Sequence, residues 1–240
     1  MHKDTGSTTA VGAAMFRAAH QLLDGGSPLL RDEVILRLLK KEAIDHILQR
    51  KSDFFLPGSI AMRTHMILRS RYAEDCLYEA YTRGVRQYLL LGAGVDTFAW
   101  RRPVWAEGLQ VIEADVAVSQ ANKQELLREA GLAVPDHCSF VAVDLETDDL
   151  AAAFAGSRLD LTKPVFVSCL GVLIYLRRET VSRIFRFGGK LFVALGLVFV
   201  LGGILLPLEY WESVFGSLML TALAAGIWYS IKLRHERSLQ

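Results

Sequence analysis

Apolar and polar positions follow one rule before residue 84 and another after it. From residue 8 to residue 50 the spacing is helical. Ala10, Ala13, Ala14 and Ala18 support a helix, and Gly25-Gly26-Ser27-Pro28 breaks it. Val34, Ile35, Leu38, Leu39, Ile44 and Ile47 then recur every three to four positions. After Phe55-Leu56-Pro57-Gly58 a third helix is predicted from Ile60 to Thr82, with Gly84 at its end.

From Gln87 the apolar positions become short continuous runs. Gln87–Leu91 reads as a buried strand that closes on Gly92-Ala93-Gly94. Leu109–Ile112 is a second strand, followed by the acids Glu113 and Asp115. A helix is predicted over Gln120–Ala130, with Gly131 as its stop. Ser139–Val143 is a third strand closed by Asp144, and Asp148-Asp149 cap a short helix reaching Phe154. Pro164–Ser168 is a fourth strand, followed by a turn near Gly171 and a helix around Glu179–Phe185. Apolar strands alternating with helices predict an α/β fold, a parallel sheet covered on both faces.

The pattern changes again near Lys190. Leu191–Leu208 and Ser213–Ile231 carry no charge, and only Glu209-Tyr210-Trp211-Glu212 separates them. Each run approaches the ~20 apolar residues that cross a bilayer. Arg183, Arg186 and Lys190 precede the first run; Lys232, Arg234 and Arg237 follow the second. Basic ends and an acidic tip predict a two-helix transmembrane hairpin with both ends in the cytoplasm. The alternative is that Leu191–Val200 is a buried fifth strand and the rest core helix, which would make the chain cytoplasmic. The expected domains are thus a helical cap (1–83), an α/β core (84–187) and a hydrophobic hairpin (188–240).

Composition adds little to this picture. The chain has 240 residues, 52% of them hydrophobic, which is enough for a packed core. A net charge of +1 and the lack of a basic block predict no nucleic-acid partner. The three cysteines, Cys76, Cys138 and Cys169, are far apart and form no C-x-x-C pair, so no metal site is expected. The first residues contain no apolar run of signal-peptide length.

Candidate chemistry starts at the glycine turn. In open α/β sheets ligands bind beyond the carboxyl ends of the strands, where the strand order reverses. Gly92-Ala93-Gly94-Val95-Asp96-Thr97 stands at such an end, with Thr97 where a dinucleotide fingerprint has its third glycine. Glu113 and Asp115 follow about 20 residues on, where a carboxylate can accept from ribose hydroxyls. Read alone they are equally strand-end surface acids, and Asp144 is equally a turn cap.

GVRQYLLLGAGVDTFAWRRP (84–103) resembles the cofactor motif of the leucine carboxyl methyltransferase-like family, which includes bacterial polyketide O-methyltransferase-like proteins. MFRAAHQLLDGGSPLLRDE (15–33) is similar to the family's N-terminal helix and loop, and LRSRYAEDCL (68–77) to its R-x-R-aromatic-x-x-D segment. VIEADVAVSQANKQELL (111–127) resembles E-x-D-x-P-x-x-Q-x-x-K, with Ala117 in place of proline. FVSCLGVLIYL (166–176) resembles the fourth strand and its G-V-x-x-Y-L turn.

The resemblance implies a Rossmann-like class I methyltransferase sheet, with S-adenosyl-L-methionine as methyl donor and a carboxyl or hydroxyl acceptor. It implies that Gly92, Ala93 and Gly94 meet the methionyl part and that Asp96 braces the turn. Arg69 would pair with the donor's carboxylate, with Arg71 as the other possibility. Asp115 would hold the ribose, with Glu113 as alternate, and Asp144 and Leu145 would frame the adenine. No residue is singled out as catalytic: His20, His46, His65 and His137 are scattered. The match stops near Phe187, before the family's fifth strand and substrate-binding section, so the sheet is expected to be incomplete. That leaves a membrane-tethered O-methyltransferase beside an inactive, truncated or fused remnant that binds a cofactor or a membrane.

Overall fold

The computed structural model describes residues 5–26 and 28–191. The cap is α1 (Thr5–Leu23), α2 (Glu33–Leu38), α3 (Lys41–Gln49), α4 (Lys51–Phe54) and the long α5 (Pro57–Thr82). Pro57 occupies the first turn of α5, where its missing N–H is no loss, so the helix begins ahead of the expected Ile60. The Asp32 carboxylate caps α2 by accepting from Ile35 N–H at 3.2 Å. Ala14, Ala18, Ala19, Ile35, Ile47 and Phe54 form the core of the cap.

The sheet follows as β1 (Gln87–Leu91), β2 (Gln110–Asp115), β3 (Cys138–Ala142) and β4 (Phe166–Ser168), all parallel in the order β3-β2-β1-β4. Helices α6 (Ala117–Glu129), α7 (Leu150–Phe154) and α8 (Arg178–Leu191) make the connections and the end. Every residue of β1 is buried. Removing a leucine such as Leu89 from water contributes roughly 2 kcal/mol. Gln87 is tolerated there because its amide is satisfied: it donates to Asp160 O at 3.0 Å and accepts from Asp160 N–H at 2.7 Å.

The second strand was expected to end in its acids. In the structure β2 continues through Glu113 to Asp115, because β1 and β3 pair with it on both sides and hold the ladder through those positions. α6 starts at Ala117, ahead of the expected Gln120, at the position where the family pattern has proline. The Asp149 carboxylate caps α7 as read from the sequence, accepting from Ala152 N–H at 2.8 Å.

The helices before residue 84 and the sheet belong to one compact unit. Among the described residues no helix is long and apolar enough to cross a membrane. The predicted hairpin (188–240) lies outside the described residues, apart from 188–191 at the end of α8.

Candidate functional site

The chain leaves β1 for β2 and β3 on one side and returns to β4 on the other. The switch point is therefore the gap between the ends of β1 and β4, and the predicted glycine turn lies there. Gly92 has φ +66°, and a Cβ on it would run into the Val172 side chain beyond β4. Gly94 has φ +50°, and a Cβ there would stand 3.3 Å from Ala10 of α1. Only glycine combines this backbone shape with this closeness. The turn is tied to β2, where Gly92 N–H donates to Ala114 O at 2.7 Å.

Asp115 joins this arrangement. Its Oδ2 accepts from Gly94 N–H at 2.7 Å, and its Oδ1 from Val116 N–H at 2.8 Å. Each oxygen keeps a further lone pair. Asp96 Oδ1 accepts from Phe98 N–H at 2.7 Å and so braces the exit of the turn.

Glu113 is not part of the crevice. It is buried, and Lys123 of α6 holds its Oε2. Lys123 also lies over the Trp100 ring, 4.8 Å from its centroid. Burial pushes the Glu113 carboxyl up to about 7 against the pull of Lys123, and its Oε1 has no partner. A carboxylate enclosed this way has no access to a ribose at the strand ends. Of the two candidate acids, the structure puts only Asp115 at the glycine turn.

The two candidate arginines separate just as clearly. Arg71 pairs with Asp75 one turn along α5, at 2.5 Å. Arg69 has no hydrogen bond or ion pair among the described residues, and its buried Nε is unsatisfied. Its guanidinium stands against the turn after β4: a Cβ on Gly171 would lie 2.5 Å from it. Burial, followed by the charge of Arg17, lowers its pKa to about 10. It remains a cation at neutral pH, desolvated and without an ion-pair partner among the described residues, although the charge of Asp96 acts on it.

Asp144 and Leu145 follow β3. Asp144 Oδ1 accepts from Glu146 N–H at 2.9 Å, so the side chain shapes its own turn. Leu145 is buried, and its carbonyl accepts from Arg183 of α8 at 2.5 Å. Glu146 accepts from Arg177 Nε and from Thr180 Oγ1, each at 2.8 Å. The start of α8 thus fixes the end of β3.

Among the described residues no histidine joins this group as a paired base. His20 meets Asp24 at 2.7 Å, and His137 contacts the Ala99 carbonyl at 2.9 Å. His65 lies one turn before Arg69, and its pKa is lowered by burial and by Arg69. Among the described residues no cluster of His, Cys, Asp or Glu could hold a metal ion.

Sequence reasoning missed Arg17, Asp32, Thr97 and Arg101, which join the cap to the glycine turn. Arg17 and Asp32 fall inside the N-terminal segment quoted above, and Thr97 and Arg101 inside the glycine motif. Their recurrence in family-like segments was the available signal, but nothing local showed that they meet.

A parallel sheet with a glycine turn and a strand-end acid at its switch point defines a Rossmann-like α/β domain. The sequence model described as leucine carboxyl methyltransferase matches residues 10–188, and the chain belongs to that family. It is similar to the "Putative S-adenosyl-L-methionine-dependent methyltransferase YktD" of Bacillus subtilis (strain 168), 32% identical over 200 residues, which cover 75% of this chain and 65% of that protein. Proteins of the same name without the final tag are similar as well. One from Mycolicibacterium paratuberculosis is 31% identical over 183 residues (74% of this chain, 68% of the relative). Another, from Mycolicibacterium gilvum, is 31% identical over 192 residues (76% and 62%). The chain therefore spans less than two thirds of the length of YktD.

Proposed function

We propose that the chain binds S-adenosylmethionine in the β1–β4 crevice and transfers its methyl group to an oxygen of a carboxyl or hydroxyl acceptor. The observation that carries this reading is Arg69, a half-buried arginine whose buried Nε is unsatisfied and which has no hydrogen bond or ion pair among the described residues, set against the turn after β4. A planar guanidinium suits the carboxylate of the donor's methionyl part. The glycines at 92, 94 and 171 let Val172, Ala10 and Arg69 pack directly against the backbone of the two turns. The free lone pairs of Asp115 suit ribose hydroxyls, and Asp144 with Leu145 would border the adenine. The names of the similar proteins agree with this donor.

The bound donor supplies a methyl group on a sulfonium, a leaving group that needs no protonation. The chain's residues then have to bind, align and exclude water. A carboxylate acceptor needs no base, whereas a hydroxyl does. The charge-free runs over 191–231 would tether this domain to a membrane, with the domain on the cytoplasmic side.

Calorimetry on the detergent-solubilised full chain tests the donor. Micromolar binding of S-adenosylmethionine is expected, and Arg69→Met should weaken it about a hundredfold. No heat from the wild-type chain at millimolar donor would end the reading. Carbonate washing tests the tether: the chain should stay with the membrane pellet, and its release would remove the tether while leaving the donor site intact.

A further inference from the structure

The glycine turn is held from two sides. Asp115 holds Gly94 from the sheet. From the cap, Arg17 of α1 donates to the Val95 carbonyl at 3.0 Å and to Thr97 Oγ1 at 2.6 Å, and pairs with Asp32. Thr97 Oγ1 donates to Asp32 Oδ1 at 2.7 Å and accepts from Arg101 Nε at 3.0 Å. Arg101 also binds Glu74 of α5 at 2.5 Å. Asp32 and Thr97 are fully buried.

A hydroxyl has one proton and two lone pairs. At Thr97 the proton goes to Asp32, and the lone pairs receive Arg17 and Arg101. Serine can repeat this set and valine cannot. The network also balances its own charge, with two guanidiniums against two carboxylates. Burial works to raise the Asp32 carboxyl, but the charges of Arg17 and Arg101 hold it below its usual range. Arg17 is thereby paired with Asp32, whereas Arg69 has no ion-pair partner among the described residues.

We propose that Thr97, through its hydrogen bonds to Arg17 and Asp32, is a positioning residue for the methyl donor: it locks the 92–97 turn to the N-terminal cap in the shape that receives the donor. The proposal rests on the donor reading above. Thr97 itself is buried behind the turn and would act through the Val95 carbonyl and the turn's backbone.

The test uses the full chain in detergent, S-adenosylmethionine as probe, calorimetry for affinity and thermal unfolding for integrity. Thr97→Val should stay folded and bind the donor about tenfold more weakly, because it leaves buried polar partners unmatched. Thr97→Ser should restore affinity to within about threefold of wild type, since the hydroxyl set is kept. A folded Thr97→Val with unchanged affinity would overturn the proposal, as would a Thr97→Ser as weak as the valine variant. Should Thr97→Val fail to fold, Arg17→Lys decides. It keeps a charge against Asp32 but has no fork to reach Val95, and about fivefold weaker binding is expected of it; unchanged affinity overturns the proposal. Absence of binding by the wild-type chain is a different result, which removes the donor reading itself.

Discussion

Glu113 and Asp115 start on the same face of β2, two residues apart. The strand runs on beneath α6 at Glu113 and ends at Asp115. Glu113 is consequently enclosed with Lys123 and Trp100, with one oxygen unmatched. Asp115 reaches past the end of the ladder to the Gly94 N–H and keeps lone pairs for a ligand. A similar contrast separates Arg17, which forms an ion pair with Asp32, from Arg69, which forms none among the described residues. Groups satisfied inside the fold hold the site in shape, and groups left unsatisfied at the strand ends are the ones a ligand can use.

Each side of the comparison can be broken separately. The largest effect is expected at Lys123. Lys123→Met leaves Glu113 buried without its cation and should cost about 3–5 kcal/mol in urea unfolding. Adding Glu113→Gln should recover much of that loss, because the pair is removed together. If the single variant is as stable as wild type, the enclosed pair is not what holds α6.

The pH dependence comes next. Burial raises the Glu113 carboxyl to about 7 in the folded chain, above its ordinary value of 4.5. The folded state then binds the proton more tightly than the unfolded state. Its contribution is fully present below 4.5 and is lost as pH rises toward 7, by up to about 3 kcal/mol. Glu113→Gln should flatten unfolding free energy against pH in that window. An unchanged slope would assign it to other groups.

On the other side, Asp115→Ala removes the acceptor of Gly94 N–H and, on the proposed function, a ribose contact. Donor affinity should fall about thirtyfold, near 2 kcal/mol, with a smaller change in stability. Equal affinity in calorimetry would move the ribose site elsewhere. Least is expected of Asp149→Ala, which removes a helix cap far from either acid. It should cost about 1 kcal/mol in thermal unfolding and leave donor affinity alone; a change in affinity would show that the two sides are coupled through β3.

Much of this was legible along the chain. Short apolar runs followed by Gly92 and Gly171 marked strands and their turns, since a buried parallel strand carries apolar side chains on both faces, and Gly131 marked the stop of a helix. Leu150–Phe154 and its Asp149 cap were readable because a cap is a local device. The enclosure of Glu113 within β2 was not. A polar residue inside a strand reads as a terminus unless its partner is known, and Lys123 is ten positions away.

By itself the sequence determined the α/β alternation, the glycine turn and the set of acids and arginines from which a site could be drawn. Those features depend on neighbours a few residues apart, so periodicity and punctuation express them. Only the tertiary structure decided that Asp115 rather than Glu113 meets the turn, that Arg71 is paired while Arg69 is not, and that Arg17, Asp32 and Thr97 join. Thr97 lies 65 positions from Asp32 and 80 from Arg17. Which charges neutralise one another depends on the path of the chain between them, and local spacing does not carry that path.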